Sequence, residues 1–168
     1  MKIFLDMIGC RLNQAEIETM AMEFIQRGDE VVAEAQLADL IIINTCCVTA
    51  KAEAESRKMM RMYQRSFPAR VVITGCWPSV NNQEAKSLAG SANVFLNSAK
   101  GEIVKTLRAD SIDPDTLSTT IVKPDLGSRN RTRAFIKIQD GCDNGCTYCL
   151  TRIARGRSVS RPKEEILR

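Results

Sequence analysis

The chain has 168 residues, 44% hydrophobic and 26% charged, which is enough for one ordinary core with residues left over for a linker or a partial second domain. No run approaches the ~20 apolar residues of a membrane helix, and the start, Met-Lys-Ile-Phe-Leu-Asp, turns acidic after three apolar residues, so a cytoplasmic chain without membrane partners is expected. Seven cysteines, an odd number without a secretion signal, argue against a disulfide framework, and the absence of histidine excludes mixed Cys/His zinc sites and histidine-based catalysis within this chain.

The first two thirds read as βα units on a parallel sheet. Residues 2–6 form a predicted strand, followed by a helix with Asn13 as N-cap and Glu16 three residues on. Ile17, Met20, Ala21, Phe24 and Ile25 continue it at helical spacing until Gly28. A short strand is expected at 30–33, and the apolar run 40–44 suits a strand buried on both faces. A helix capped near Thr49 should run to Ser66, before Pro68, with its methionines as core filler. Strands at 71–74 and 94–96 and helices at 82–89 and 100–109 complete an open, mostly parallel α/β sheet of five strands with helices on both faces.

From 111 to 130 the chain turns polar, with Pro114, Pro124 and Gly127, which sets an interdomain linker at 113–130 after a first domain at 1–112. Residues 133–139 alternate as a strand leading into a cysteine loop. Charge is uneven about this boundary. From Arg129 onward there are ten Lys/Arg against four Asp/Glu, whereas the first 128 residues carry 14 against 16. Arg152, Arg155, Arg157, Arg161 and Lys163 could meet phosphate, or form a solvated face.

Cys142, Cys146 and Cys149 have C-x3-C-x2-C spacing, which lets one loop hold three corners of a cubane cluster and leave one iron free for a ligand. The competing reading is a zinc knuckle or unconnected thiols, but no fourth ligand lies nearby in sequence. Cys10, Cys46 and Cys76 each follow the carboxyl end of a predicted strand, the edge where ligands bind in open α/β sheets. They suit a second three-thiolate site, and equally the role of small buried hydrophobes. Gly9-Cys10 and Gly75-Cys76 favour the first reading, because glycine admits close approach by a bulky group. Cys47 adjoins Cys46 and is expected to point elsewhere.

Taken in order, Gly9-Cys10-Arg11-Leu12-Asn13-Gln14 with Glu16, Asn44-Thr45-Cys46-Cys47-Val48-Thr49, Thr74-Gly75-Cys76, and the Cys142, Cys146, Cys149 loop followed by Ala154-Arg155-Gly156-Arg157 closely resemble the methylthiotransferase family of radical S-adenosylmethionine enzymes. Arg131-Thr132-Arg133-Ala134-Phe135-Ile136-Lys137-Ile138-Gln139 is most similar to the branch acting on N6-threonylcarbamoyladenosine in tRNA, rather than the isopentenyladenosine or ribosomal-protein branches. The resemblance implies two 4Fe-4S clusters. Cys142, Cys146 and Cys149 would hold the one that cleaves S-adenosylmethionine to a deoxyadenosyl radical, with Tyr148 near that cofactor, while Cys10, Cys46 and Cys76 would hold an auxiliary cluster presenting a methylated sulfur.

The implied partner is the tRNA anticodon loop, where an exposed adenosine beside the anticodon would receive a methylthio group. Residues 131–168 would be the start of the radical (β/α) barrel. Only 29 residues follow Gln139, against the ~200 or more a barrel needs, so a truncated chain that does not turn over alone is expected. The alternatives are a non-catalytic iron-sulfur or zinc-binding module and a flavodoxin-like nucleotide binder. The latter is disfavoured because no Gly-rich phosphate loop follows the first strand and Trp77 is the only tryptophan.

Overall fold

The computed structural model describes residues 1–108 and 135–167. The linker expected at 113–130 and the residues 131–134 lie outside the described residues.

Three strands run side by side through the centre: β1 (Lys2–Met7), β3 (Leu40–Thr45) and β4 (Arg70–Gly75), with the two-residue β2 (Glu30–Val31) on the outer side of β1. All pairings in this sheet are parallel, in the order β2-β1-β3-β4. β3 is buried along its whole length, as its run of β-branched residues requires of a strand covered on both faces. Alternation then divides the core. Ile3, Leu5, Leu40, Ile42 and Val72 face α1 (Arg11–Gln26), while Ile41, Ile43, Val71 and Ile73 face α2 (Ala50–Ser66) on the other side. α1 contributes Ile17, Met20, Ala21 and Phe24 to its layer. α2 contributes Met60 and Tyr63, with Met59 partly buried against them, but Met62 is 41% exposed and so is not core filler as expected. Thr49 caps α2, its hydroxyl accepting from the Ala52 N–H at 3.1 Å.

Several details differ from the sequence expectation, among them β2, which covers two of the residues expected at 30–33. Asn13 does not cap α1: the helix begins at Arg11 with Cys10 as N-cap, and Asn13 lies inside the first turn, fully buried. The strand expected at 94–96 is reduced to one parallel bridge, Val94 to Ile73, because the chain then enters a 3-10 turn (Asn97–Glu102) that leads into α5 (Ile103–Arg108). The helix expected at 100–109 is that turn followed by α5. An unforeseen short helix, α3 (Cys76–Val80), leaves β4 directly, ahead of α4 (Asn82–Ala89).

Of the strand expected at 133–139, only β5 (Gln139–Asp140) pairs, antiparallel, with β6 (Val159–Ser160). Ile136 and Ile138 remain about 60% exposed, since no sheet offers them a face. The ribbon encloses the cysteine loop and α6 (Leu150–Arg155), and α7 (Lys163–Ile166) follows. Strand and helix alternate here, but the one strand pairing among the described residues of this segment is antiparallel, unlike the parallel pairing of a (β/α) barrel. Ala154 of α6 packs with Cys76 and Trp77 of α3, which joins the segment to the first domain's core. No helix among the described residues is long and apolar enough to cross a membrane.

Candidate functional site

The strand order makes β1 and β3 the point where the chain reverses its direction of winding, and the loops leaving their carboxyl ends flank the crevice such a point creates. Cys10 follows β1, Cys46 follows β3, and Cys76 opens α3 beyond β4, so topology gathers all three at one edge. Two glycines bring the loops together. A Cβ at Gly9 (φ +122°) would lie 2.7 Å from Cys46 Cβ, and one at Gly75 (φ +104°) would lie 2.2 Å from the Thr45 carbonyl oxygen. The space above each glycine is therefore filled by the neighbouring strand-end loop, and not left open for a ligand, as the sequence had suggested.

Cys10 is exposed, whereas Cys46 and Cys76 are buried. Ser56 of α2 clamps the Cys46 backbone, its hydroxyl accepting from the Cys46 N–H (3.2 Å) and lying 2.9 Å from the Cys46 carbonyl. Burial pushes the Cys46 thiol upward, and negative charge on Cys76 and Cys10 adds to that, so the three sulfurs sense one another. If all three were deprotonated they would repel one another, and a thiophilic cation would relieve that repulsion. Cys47 faces the core instead, and burial pushes its thiol up to about 12.

The second triad occupies the loop between β5 and α6. Cys142 and Cys149 are partly exposed and Cys146 is exposed. Cys149 is the N-cap of α6, and backbone N–H groups of Arg152 and Thr151 lower its thiol. Tyr148, at the loop tip, is 86% exposed. Among the described residues no three His, Cys, Asp or Glu side chains already stand as a metal-binding group.

Between the triads lies a charged cluster that sequence reasoning missed. Glu16, with only 4% of its side chain exposed, pairs with Lys100 (2.7 Å), Lys137 (2.9 Å) and Arg155 (2.8 Å). Asp140 shares Lys137 and Arg155. Burial works to raise the Glu16 carboxyl, but Lys100 and Arg155 hold it well below the usual carboxylate range. Asp140 is likewise lowered, its own burial being outweighed by hydrogen bonds from Lys137 and Arg155. Arg155 is only 2% exposed, so of the arginines offered as phosphate contacts this one is committed internally. A cleft of about 300 Å³ opens along the same seam, lined in part by Glu16, Met20, Lys100, Lys137 and Arg161. One sequence signal could have exposed the cluster: Asn13 and Glu16 share the apolar stripe of Ile17, Met20 and Phe24, where a polar side chain needs a buried partner.

Residues 2–97 match the family model described as uncharacterized protein family UPF0004. The chain belongs to the UPF0004 family. This UPF0004 chain is 37% identical over 95% of its length to the threonylcarbamoyladenosine tRNA methylthiotransferase MtaB of Chlamydia pneumoniae, and 33% identical over 99% of its length to the MtaB of Aquifex aeolicus. It is 29% identical to the tRNA-2-methylthio-N(6)-dimethylallyladenosine synthase of Pseudothermotoga lettingae, over 99% of its length. It spans 37%, 43% and 40% of those three proteins, about two fifths of each.

Proposed function

We propose that this chain belongs to an enzyme that methylthiolates N6-threonylcarbamoyladenosine beside the tRNA anticodon, in the cytoplasm, using S-adenosylmethionine and two 4Fe-4S clusters. The observation that carries the reading is the convergence of Cys10, Cys46 and Cys76 on one sheet edge, with the C-x3-C-x2-C loop held against that edge by α6. The relatives' names support a tRNA methylthiotransferase, and the higher identities to MtaB than to the dimethylallyladenosine enzyme support the threonylcarbamoyl branch.

The donor set suits iron-sulfur centres in its chemistry. Each triad is all thiol, and the chain contains no histidine to favour a mixed zinc site. The buried Trp77 Nε1, Thr74 Oγ1 and Asn97 Oδ1 have no hydrogen-bond partner among the described residues, leaving polar atoms near Cys76 able to serve a bound group. Cys142, Cys146 and Cys149 would hold one cluster and Cys10, Cys46 and Cys76 the other, with Tyr148 beside the S-adenosylmethionine site. When bound, the first supplies the electron that cleaves S-adenosylmethionine and the second the site of the transferred sulfur. The chain's own part is to hold Cys46 by Ser56, shield Cys76 beneath Ala154 and keep Cys149 on a helix N-terminus. Residues 135–167 would begin the radical barrel. The exposed Arg157 remains available for RNA phosphate, in contrast to Arg155.

Disrupting the coding sequence in its source organism and measuring digested tRNA nucleosides tests the reading. Loss of the 2-methylthio form of N6-threonylcarbamoyladenosine is expected, restored by the native gene and not by Cys46→Ala. An unchanged nucleoside profile would overturn it, and loss of the isopentenyl derivative instead would overturn the branch.

A further inference from the structure

The two cysteine triads are joined by side chains that belong to neither. Asn13, three residues after Cys10, donates its amide to the Ile8 carbonyl (2.7 Å) and the Thr45 carbonyl (3.1 Å), tying the Cys10 loop to the Cys46 loop. Its oxygen accepts from Arg155 Nη2 at 2.7 Å and lies 4.0 Å from Cys10 Sγ. Asn97 makes the matching contact on the other side, its amide donating to the Ala154 carbonyl (2.8 Å) and lying 3.8 Å from Cys76 Sγ. Both anchors fall on α6, whose N-cap is Cys149.

A six-residue helix whose Ile153 is 64% exposed has little apolar grip of its own beyond Ala154. Electrostatics supplies the rest. Arg155 is planar and presents a fork of donors, so it can satisfy Glu16, Asp140 and Asn13 together, which a lysine ammonium cannot match in geometry. Lys100 and Lys137 balance the Glu16 carboxylate from the first domain and from the stretch just before β5 respectively. The pairs are nearly dry, so each fixes position more firmly than a surface salt bridge would.

We propose that Arg155, closed against Glu16 and Asn13, is a positioning residue: a buried latch that holds α6, and with it the Cys142, Cys146, Cys149 loop, at a fixed distance from Cys10, Cys46 and Cys76. Its importance for chemistry rests on the two-cluster reading above, while the latch itself is a property of the chain with or without iron.

Native chain, Arg155→Ala, Arg155→Lys and the exposed control Arg157→Ala provide the test. In the metal-free chain, alkylation of Cys76 by iodoacetamide, mapped by peptide mass spectrometry, should accelerate by about tenfold or more in Arg155→Ala as α6 lifts away, and stay at the native rate in Arg157→Ala. A native Cys76 rate in Arg155→Ala overturns the latch. If the alanine variant does not fold, Arg155→Lys carries the test: it keeps the charge and loses the fork, so a Cys76 rate several-fold above native supports the latch and a native rate overturns it. In the reconstituted chain, spin–spin broadening between two reduced clusters should appear in the native protein and fade in Arg155→Ala at equal iron content. Broadening that persists there overturns the positioning role. If native chain shows no second cluster while the Cys76 effect stands, the two-cluster reading fails and the latch survives.

Discussion

Replacing Glu16 by glutamine preserves shape and removes one charge from the centre of the cluster. Lys137 and Arg155 keep Asp140 as a carboxylate partner, but Lys100, 8% exposed, is left with Asn44 Oδ1 at 3.1 Å and no anion. Removing one partner of a buried ion pair costs about 3–5 kcal/mol, because the survivor stays buried and uncompensated. The lower end, about 3 kcal/mol, applies here because Asn44 still accepts from Lys100. With an unfolding slope of roughly 1–3 kcal/mol per molar urea, the midpoint of the reduced, metal-free chain should fall by about 1–3 M at pH 7. Removing the stranded cation should then help: Glu16→Gln/Lys100→Met is expected to recover about 1 kcal/mol or more relative to Glu16→Gln alone. The exposed Glu55→Gln should stay within about 0.5 kcal/mol of native. A Glu16→Gln midpoint equal to native, or a double variant no more stable than the single, would refute the claim that Lys100 depends on Glu16.

Two further predictions concern the same edge. Glu16 and Asp140 both have folded-state carboxyls below their ordinary values of 4.5 and 3.8, so the stability they contribute is present above those values and is lost as pH falls toward the lower folded ones. Urea midpoints measured between pH 7 and 3 should therefore decline below about pH 4.5, and the decline should be shallower in Glu16→Gln; an equally steep acid limb would contradict the assignment. Gly75→Ala would place a methyl 2.2 Å from a backbone oxygen at a positive φ, and should cost about 2–4 kcal/mol in urea unfolding, against near-native behaviour for Gly101→Ala, where the added carbon meets nothing within 4 Å.

The sheet was legible because its strands are short β-branched runs buried on both faces: the buried cores of β3 and β4 coincide with the predicted runs. The three strand-end cysteines were legible for the same reason, since parallel strands put all their carboxyl ends on one edge. What periodicity could not give was pairing at distance. Residues 133–139 alternate, but a strand needs a neighbour, and only Gln139 and Asp140 find one in Val159 and Ser160. Asn13 and Glu16 fit the spacing of a helix start, yet their side chains are spent on Thr45, Lys100 and Arg155, up to 142 residues away along the chain. Arg155 read as one more cation in a basic run. Its burial depends on Glu16, which no local pattern near Arg155 reveals.

Iron and sulfide counted after anaerobic reconstitution test the central claim most directly. Native chain should hold about eight irons and eight sulfides, and Cys46→Ala and Cys146→Ala should each retain about four of both. If Cys46→Ala kept the native iron content, Cys46 would not be a cluster ligand and the account of the strand-end site would be wrong.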